Sequence, residues 1–134
     1  MLAIRLLGNL DMRRGSESLA LPQSRKTRAL LAYLVLTGRP HRRERLCSIF
    51  WEVPDDPRAA LRWSLSKLRS LVDEPGLQRI RTEGDLVAFD AAEVAVDIAE
   101  IRAALAGGAD GITTARLAEL AGAFRGELLE GEDL

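Results

Sequence analysis

The chain has 134 residues, of which 47% are hydrophobic, and a formal net charge of -1. This length suffices for one ordinary hydrophobic core, or for a compact domain with part of a second. The single cysteine, Cys47, excludes an internal disulfide, and the longest apolar stretch, around residues 29–36, is far too short to cross a bilayer. Because no amino-terminal apolar run follows a basic segment, we expect no signal peptide and predict a cytoplasmic protein.

The small net charge results from two oppositely charged parts of the chain. Residues 1–81 contain 16 Lys and Arg against 8 Asp and Glu, whereas residues 82–134 contain 3 against 12. The first part therefore carries +8 and the second -9. Such polarity favours a unit that binds a polyanion, joined to a segment that does not bind one.

The first twenty residues predict a small antiparallel sheet. Leu2, Ile4 and Leu6 alternate on one face, and the turn-rich stretch RGSES precedes a short LAL strand. Two helices should follow this sheet. Ser24 is suited to cap the first of them, over RKTRALLAYLVLT, which Gly38 ends, and the second covers about Arg42 to Trp51.

The third predicted helix covers about residues 57–72, with Asp56 as the N-cap and Pro57 at the first helical position. At about 100° per residue, its leucines form one apolar side that faces a core. The opposite side is cationic and polar and contains no acidic residue. Its members are Arg62, Trp63, Ser66, Lys67, Arg69 and Ser70.

A hairpin is predicted over LQRIRTEGDLVAFD, residues 77–90, with its turn at Gly84 and Asp85. Its first strand should place Arg79 and Arg81 on one shared face. Strands, three helices and a hairpin in this order indicate an α+β protein. The predicted fold is a winged helix-turn-helix, with an N-terminal antiparallel sheet and a C-terminal hairpin wing.

An α-helical pair should follow the wing. One helix is expected from Asp97, with Glu100 three residues on, and the other from about residue 113. Their apolar stripes need cover, because nothing follows them in the sequence. We therefore expect these helices to pack against the winged domain or against a second copy of the chain in a homodimer, and we expect the natural polypeptide to continue.

In a winged helix-turn-helix the third helix lies in the major groove of DNA, and the wing contacts the backbone or the minor groove. On this interpretation Arg62, Lys67 and Arg69 neutralise phosphates or reach guanine edges. Ser66 and Ser70 can bond either phosphate or base. The alternative interpretation is a solvated helix face, which is the commonest setting for Lys and Arg.

Other basic and aromatic residues widen this candidate surface. Trp63 fits a solvated face poorly, so it either contacts a sugar or a thymine methyl, or packs against protein. Arg42 and Arg43 begin the second helix, where cations oppose the helix dipole and so do not serve helix stability. The amides of a helix amino terminus bind phosphate, which makes these arginines candidates for contacts with DNA. Arg79 and Arg81 are the candidates for wing contacts to the DNA backbone or a narrow minor groove.

The sequence offers little for catalysis. His41 is the only histidine and Cys47 the only cysteine, and their spacing forms neither a metal cluster nor a catalytic triad. The glycines of GGADG lack the lysine of a phosphate-binding loop. We therefore predict no enzyme activity, no cofactor and no metal.

Several stretches, taken in order, resemble a known family. They are IRLLGNLDMRRG, LALPQSRKTRALLAYLVLTGRP, RERLCSIFW, RAALRWSLSKLRSLV, VAFD and VDIAEIRAAL. This series resembles the amino-terminal part of antibiotic-regulatory (SARP-type) bacterial transcriptional activators. The resemblance implies an OmpR-like winged helix over residues 1–94, and over residues 95–134 the first helices of an incomplete all-helical transcriptional activation domain.

The resemblance also implies partners. Proteins of this family bind double-stranded DNA at direct repeats and contact RNA polymerase. Arg62, Ser66, Lys67 and Arg69 match the basic positions of the family's recognition helix, whereas Trp63 stands where a polar residue is expected. The loop that faces polymerase in OmpR-like proteins corresponds here to Glu52, Asp55 and Asp56.

A second function stays open at this point. Winged-helix units also occur on larger ATPase or cyclase-type signalling proteins. The alternative to a DNA-binding transcriptional activator is therefore a protein-interaction or regulatory module, with Trp63 as an interface anchor.

Overall fold

The computed structural model describes residues 2–51, 56–99 and 103. These residues belong to two compact units, one containing residues 2–20 with 93–99 and 103, the other containing 21–51 with 56–92. No helix in the described ranges is long and apolar enough to span a membrane. The elements in chain order are β1 (Leu2–Arg5), β2 (Asp11–Arg14), β3 (Glu17–Ser18), α1 (Arg25–Thr37), β4 (His41–Arg42), α2 (Arg43–Phe50), α3 (Pro57–Val72), β5 (Ile80–Glu83), β6 (Leu86–Phe89) and β7 (Val94–Val96).

The first unit contains a four-stranded sheet in the order β3-β2-β1-β7. The predicted antiparallel meander is confirmed in β1 and β2. Its third strand, expected at LAL, lies instead at Glu17–Ser18, within the stretch predicted to be a turn. Strand β7 was not predicted, and it pairs parallel to β1 with Leu2 opposite Val94. The domain boundary expected between residues 94 and 95 therefore falls within a strand of this sheet.

A buried carboxylate ends this sheet. The Asp97 side chain accepts the backbone N–H groups of Leu6 and Leu7, each at 2.9 Å, and that of Ile98 at 2.8 Å. The bonds to Leu6 and Leu7 satisfy two backbone amides just beyond the end of β1. Residues 97–99 are helical, in agreement with the start predicted at Asp97. Most of that helix and all of the next predicted one lie outside the described residues.

Local signals set the helix ends of the second unit. Ser24 caps α1 by accepting the Thr27 amide at 3.2 Å, and Gly38 ends it in the left-handed region, with φ 61°. Asp56 caps α3 through its carboxylate, 3.1 Å from the Ala59 amide. These predicted caps are confirmed, and each satisfies a backbone group that the helix leaves unpaired.

The apolar sides of the helices meet a small sheet in the order β4-β6-β5. The predicted hairpin is confirmed as β5 and β6, with Gly84 in its turn at φ 58°. Strand β4 was not predicted, and it pairs His41 with Val87 of β6. The core residues of this unit include Leu30, Leu31, Leu34, Leu46, Leu61, Leu65, Leu68, Val72, Ile80, Val87 and Phe89.

Candidate nucleic-acid interface

Helix α3 separates a buried leucine side from an exposed polar side. Leu61 and Leu65 are 1% exposed and Leu68 is fully buried, which fixes the rotation of the helix. The predicted polar residues consequently share the opposite side. Arg69 is half-buried there, and the exposed members are Arg62, Trp63, Ser66, Lys67 and Ser70.

The centre of this exposed side carries an aromatic residue beside a cation. The Trp63 side chain is 54% exposed, an unusual position for so large an apolar group. The Lys67 ammonium lies 5.4 Å from the centroid of the Trp63 ring, one helical turn away. This cation–π contact orients both side chains on the surface. The exposed side of α3 therefore presents a flat apolar ring next to basic side chains.

Arg69 connects α3 with the wing. Its Nη2 donates to the Thr82 hydroxyl on β5 at 3.3 Å. An open cleft of about 330 Å³ lies here, lined on the wing side by Gln78, Arg81 and Glu83 among others. The cleft thus combines cationic, amide and hydroxyl donors with carboxylates.

The structure corrects the prediction for the first wing strand. Arg81 is exposed, with 62% of its side chain accessible, and pairs with Asp90 at 2.9 Å. Arg79 is only 2% exposed, so the prediction that both arginines project from one face toward DNA was wrong. Regular alternation does not reach residue 79, because β5 begins at Ile80. The Arg79 guanidinium instead points inward.

Arg42 and Arg43 lie beside the wing. Arg42 is exposed on β4, opposite Leu86 of β6, and Arg43 is half-buried at the first position of α2. The Arg43 amide donates to the Asp85 carbonyl in the wing turn at 2.9 Å. This one amide of the α2 terminus is therefore occupied by the wing turn.

The predicted polymerase-contact loop is described only at its end. Glu52 and Asp55 lie outside the described residues. Asp56 is exposed and has a left-handed backbone, with φ 52°. Its carboxylate caps α3, so Asp56 stabilises the start of this helix.

His41 and Cys47 are structural residues in this unit. His41 is 4% exposed, its Nε2 lies 2.7 Å from the Thr37 hydroxyl, and its ring lies 4.8 Å from that of Tyr33. Burial, reinforced by Arg39 and Arg45, lowers the pKa of His41. Burial raises the pKa of the Cys47 thiol. Across residues 2–51 and 56–99, no cluster of three or more His, Cys, Asp or Glu could hold a metal ion.

Sequence reasoning missed a group that joins α3 to the wing. Asp73 follows α3, and its carboxylate accepts the backbone amides of Arg79 at 2.8 Å and Ile80 at 3.0 Å. A signal for it does exist in the sequence. An aspartate at a helix carboxyl terminus opposes the helix dipole, which indicates that something other than helix stability requires it.

Three helices, the third with an exposed cationic side, followed by a hairpin, define a winged helix-turn-helix. Among solved structures, the chain is similar to Mycobacterium tuberculosis EmbR in complex with a low affinity phosphopeptide, with a TM-score of 0.72 and 25% sequence identity. The match covers 96% of this chain and 37% of that one. EmbR is a SARP-family transcriptional regulator, and the chain accordingly has a SARP-type winged-helix domain, as the sequence resemblance predicted. No family model and no curated protein matches the sequence.

Proposed function

We propose that this chain carries the sequence-specific DNA-binding domain of a transcriptional regulator, in which α3 enters the major groove and the wing contacts the backbone or minor groove. The exposed side of α3 carries this proposal. It presents Arg62, Lys67 and Arg69 with two serine hydroxyls, and no acidic residue lies within residues 57–72. A surface of this kind attracts phosphates and offers donors to guanine edges.

Individual roles follow from position along α3. Arg62 lies nearer than Lys67 and Arg69 to the amino terminus, the part that enters the groove most deeply, so we assign it to a guanine. Lys67 and Arg69 lie further along and neutralise phosphates, while Ser66 and Ser70 bond phosphate or base. Trp63 supplies an apolar contact, for which a thymine methyl or a sugar is the fitting partner.

The wider assignments are part of the same proposal. The DNA-binding domain, expected over residues 1–94, would extend to the end of β7 at Val96, and the rest of residues 95–134 would form the start of a helical activation domain. The protein would act as an activator at direct repeats, with RNA polymerase as a partner contacted through Glu52, Asp55 and Asp56. A homodimer would cover the apolar stripes of the last two predicted helices, and sedimentation of the full chain measures this.

Selection of binding sites from random double-stranded DNA tests the central proposal. The selected duplex should bind more tightly than a shuffled duplex of the same composition, and the affinity should fall steeply as salt rises. Arg5→Ala is a matched control, because Arg5 is an exposed arginine on β1, outside α3 and the wing. Equal binding to selected and shuffled duplexes would contradict sequence-specific recognition.

One observation favours a second function. Trp63 and Leu86 are large apolar side chains left exposed in the described part of the chain, at 54% and 39%. Exposed aromatic residues often anchor protein interfaces. The second candidate is thus an interaction module of a larger ATPase or cyclase-type protein. Loss of partner binding in Trp63→Ala, without any DNA binding by the parent chain, would favour it.

A further inference from the structure

The turn between α3 and the wing is tied at both ends. The Asp73 amide donates to the Arg69 carbonyl at 2.9 Å, while the Asp73 carboxylate accepts two amides at the start of β5. Between them, Glu74 and Leu77 exchange two backbone hydrogen bonds of 3.0 and 2.8 Å. Gly76 turns the chain with φ 78°, in the region that favours glycine. Residues 73–80 therefore form a closed joint rather than a loose connection.

Arg79 is the side chain on which this joint converges. Its Nη1 donates to the carbonyl of Val72, the last residue of α3, at 2.6 Å, and to the Glu74 carboxylate at 2.9 Å. The Arg79 carbonyl accepts the amide of Asp90 at 2.7 Å, just beyond the end of β6. One residue, directly before β5, thus bonds both the end of α3 and the residue that follows β6.

Stability alone explains this arginine poorly. Its guanidinium is buried, and its Nε has no hydrogen-bond partner among the described residues. A buried donor without a partner costs free energy, and apolar side chains often replace buried charges without loss of stability. The guanidinium hydrogen-bonds both the last residue of α3 and Glu74, which an apolar side chain could not do.

We propose that Arg79 is a positioning residue, which holds the wing at a fixed place relative to α3 so that Arg81 reaches the same DNA site as the α3 face. This inference rests on the proposed function. A contact that is held in place before binding loses less conformational freedom when DNA binds. Loosening the joint should therefore weaken the wing contact selectively and leave the α3 contacts in place.

A double-mutant cycle tests this with the full chain and a duplex selected from random DNA. The variants are Arg79→Met, Arg81→Ala and their combination, each measured over a range of salt. In the parent chain, Arg81→Ala should flatten the slope of log affinity against log salt by about 0.9, the value for one phosphate contact. In the Arg79→Met background the same change should be less than half as large. Lys67→Ala is the matched comparison, and its effect should be the same in both backgrounds.

Folding is controlled separately. Thermal unfolding reports whether Arg79→Met folds, and Glu74→Gln provides a milder loosening, because the Glu74 side chain is 33% exposed and can be solvated. If Arg79→Met does not fold, the cycle is repeated with Glu74→Gln, in which a reduced Arg81 effect supports the inference.

The outcomes separate this inference from the proposed function. An Arg81 effect of equal size in all backgrounds overturns the positioning role, and so does the absence of any Arg81 effect in the parent chain. In both cases the Lys67 effect can persist, and the DNA-binding proposal then stands. A parent chain that does not distinguish selected from shuffled DNA refutes the proposed function itself.

Discussion

Lys67→Ala and Arg62→Ala should damage DNA binding in two different ways. Both side chains are exposed on α3, opposite the buried leucines, so neither substitution should unfold the protein. Lys67 lies further along the helix, and its loss should remove one phosphate contact. The slope of log affinity against log salt should then flatten by about 0.9. The factor by which the affinity falls between 50 and 200 mM salt should therefore be about 3.5 times smaller than in the parent chain. Binding to every sequence should weaken alike.

Arg62→Ala should instead relax specificity. A bidentate contact with guanine discriminates against a wrong base by about 1 to 3 kcal/mol, which is about 5- to 150-fold in affinity at one base pair. Titration of duplexes with each base pair changed in turn, by fluorescence anisotropy at fixed salt, locates that position. Arg5→Ala is the control. Folded variants that bind with unchanged affinity, specificity and salt slope would refute the assignment of this helix to the major groove.

Three further outcomes are expected from the second unit. The hydroxyls of Thr27 and Ser64 lie 2.9 Å apart in the core. Thr27→Val should therefore lower the free energy of unfolding in urea by about 1 to 3 kcal/mol, because it leaves the Ser64 hydroxyl without this partner. Adding Ser64→Ala should recover part of that loss. Because the folded state lowers the pKa of His41, the unfolded state binds more protons, and the free energy of unfolding should fall as pH drops through the ordinary histidine range. His41→Gln should flatten this decline at acid pH, and an unchanged pH profile of stability in that variant would contradict the role of His41. Arg81→Ala should weaken binding to all DNA alike in the salt titration, whereas a changed preference at one base pair would show that the wing reads sequence.

The helices of the second unit could be predicted because their signals are local. Ser24, Gly38 and Asp56 act within one turn of the backbone groups that they satisfy, and the leucine spacing of α3 fixes which side is buried. The exposed side follows from the same spacing. Six residues of the candidate interface were consequently placed together from the sequence alone.

The remaining features depend on partners distant in the chain. Strand β7 has three residues and exists because β1 offers it an edge, and β4 has two residues that pair with β6. Arg79 was misplaced for a related reason. Alternation predicts a face only within a strand, and β5 begins at Ile80, whose amide is bound by the Asp73 carboxylate seven residues back in sequence.

On the proposed function, the charges of α3 and the wing indicate different roles in DNA binding. Residues 57–72 carry four cations and no acid, whereas residues 80–90 carry Arg81 against Glu83, Asp85 and Asp90. A polyanion is therefore drawn to α3 and not to the wing as a whole. Arg81 is also partly neutralised by Asp90. Its contact with a phosphate thus depends on being held in the right place more than on long-range attraction, which is the property that the joint around Arg79 supplies.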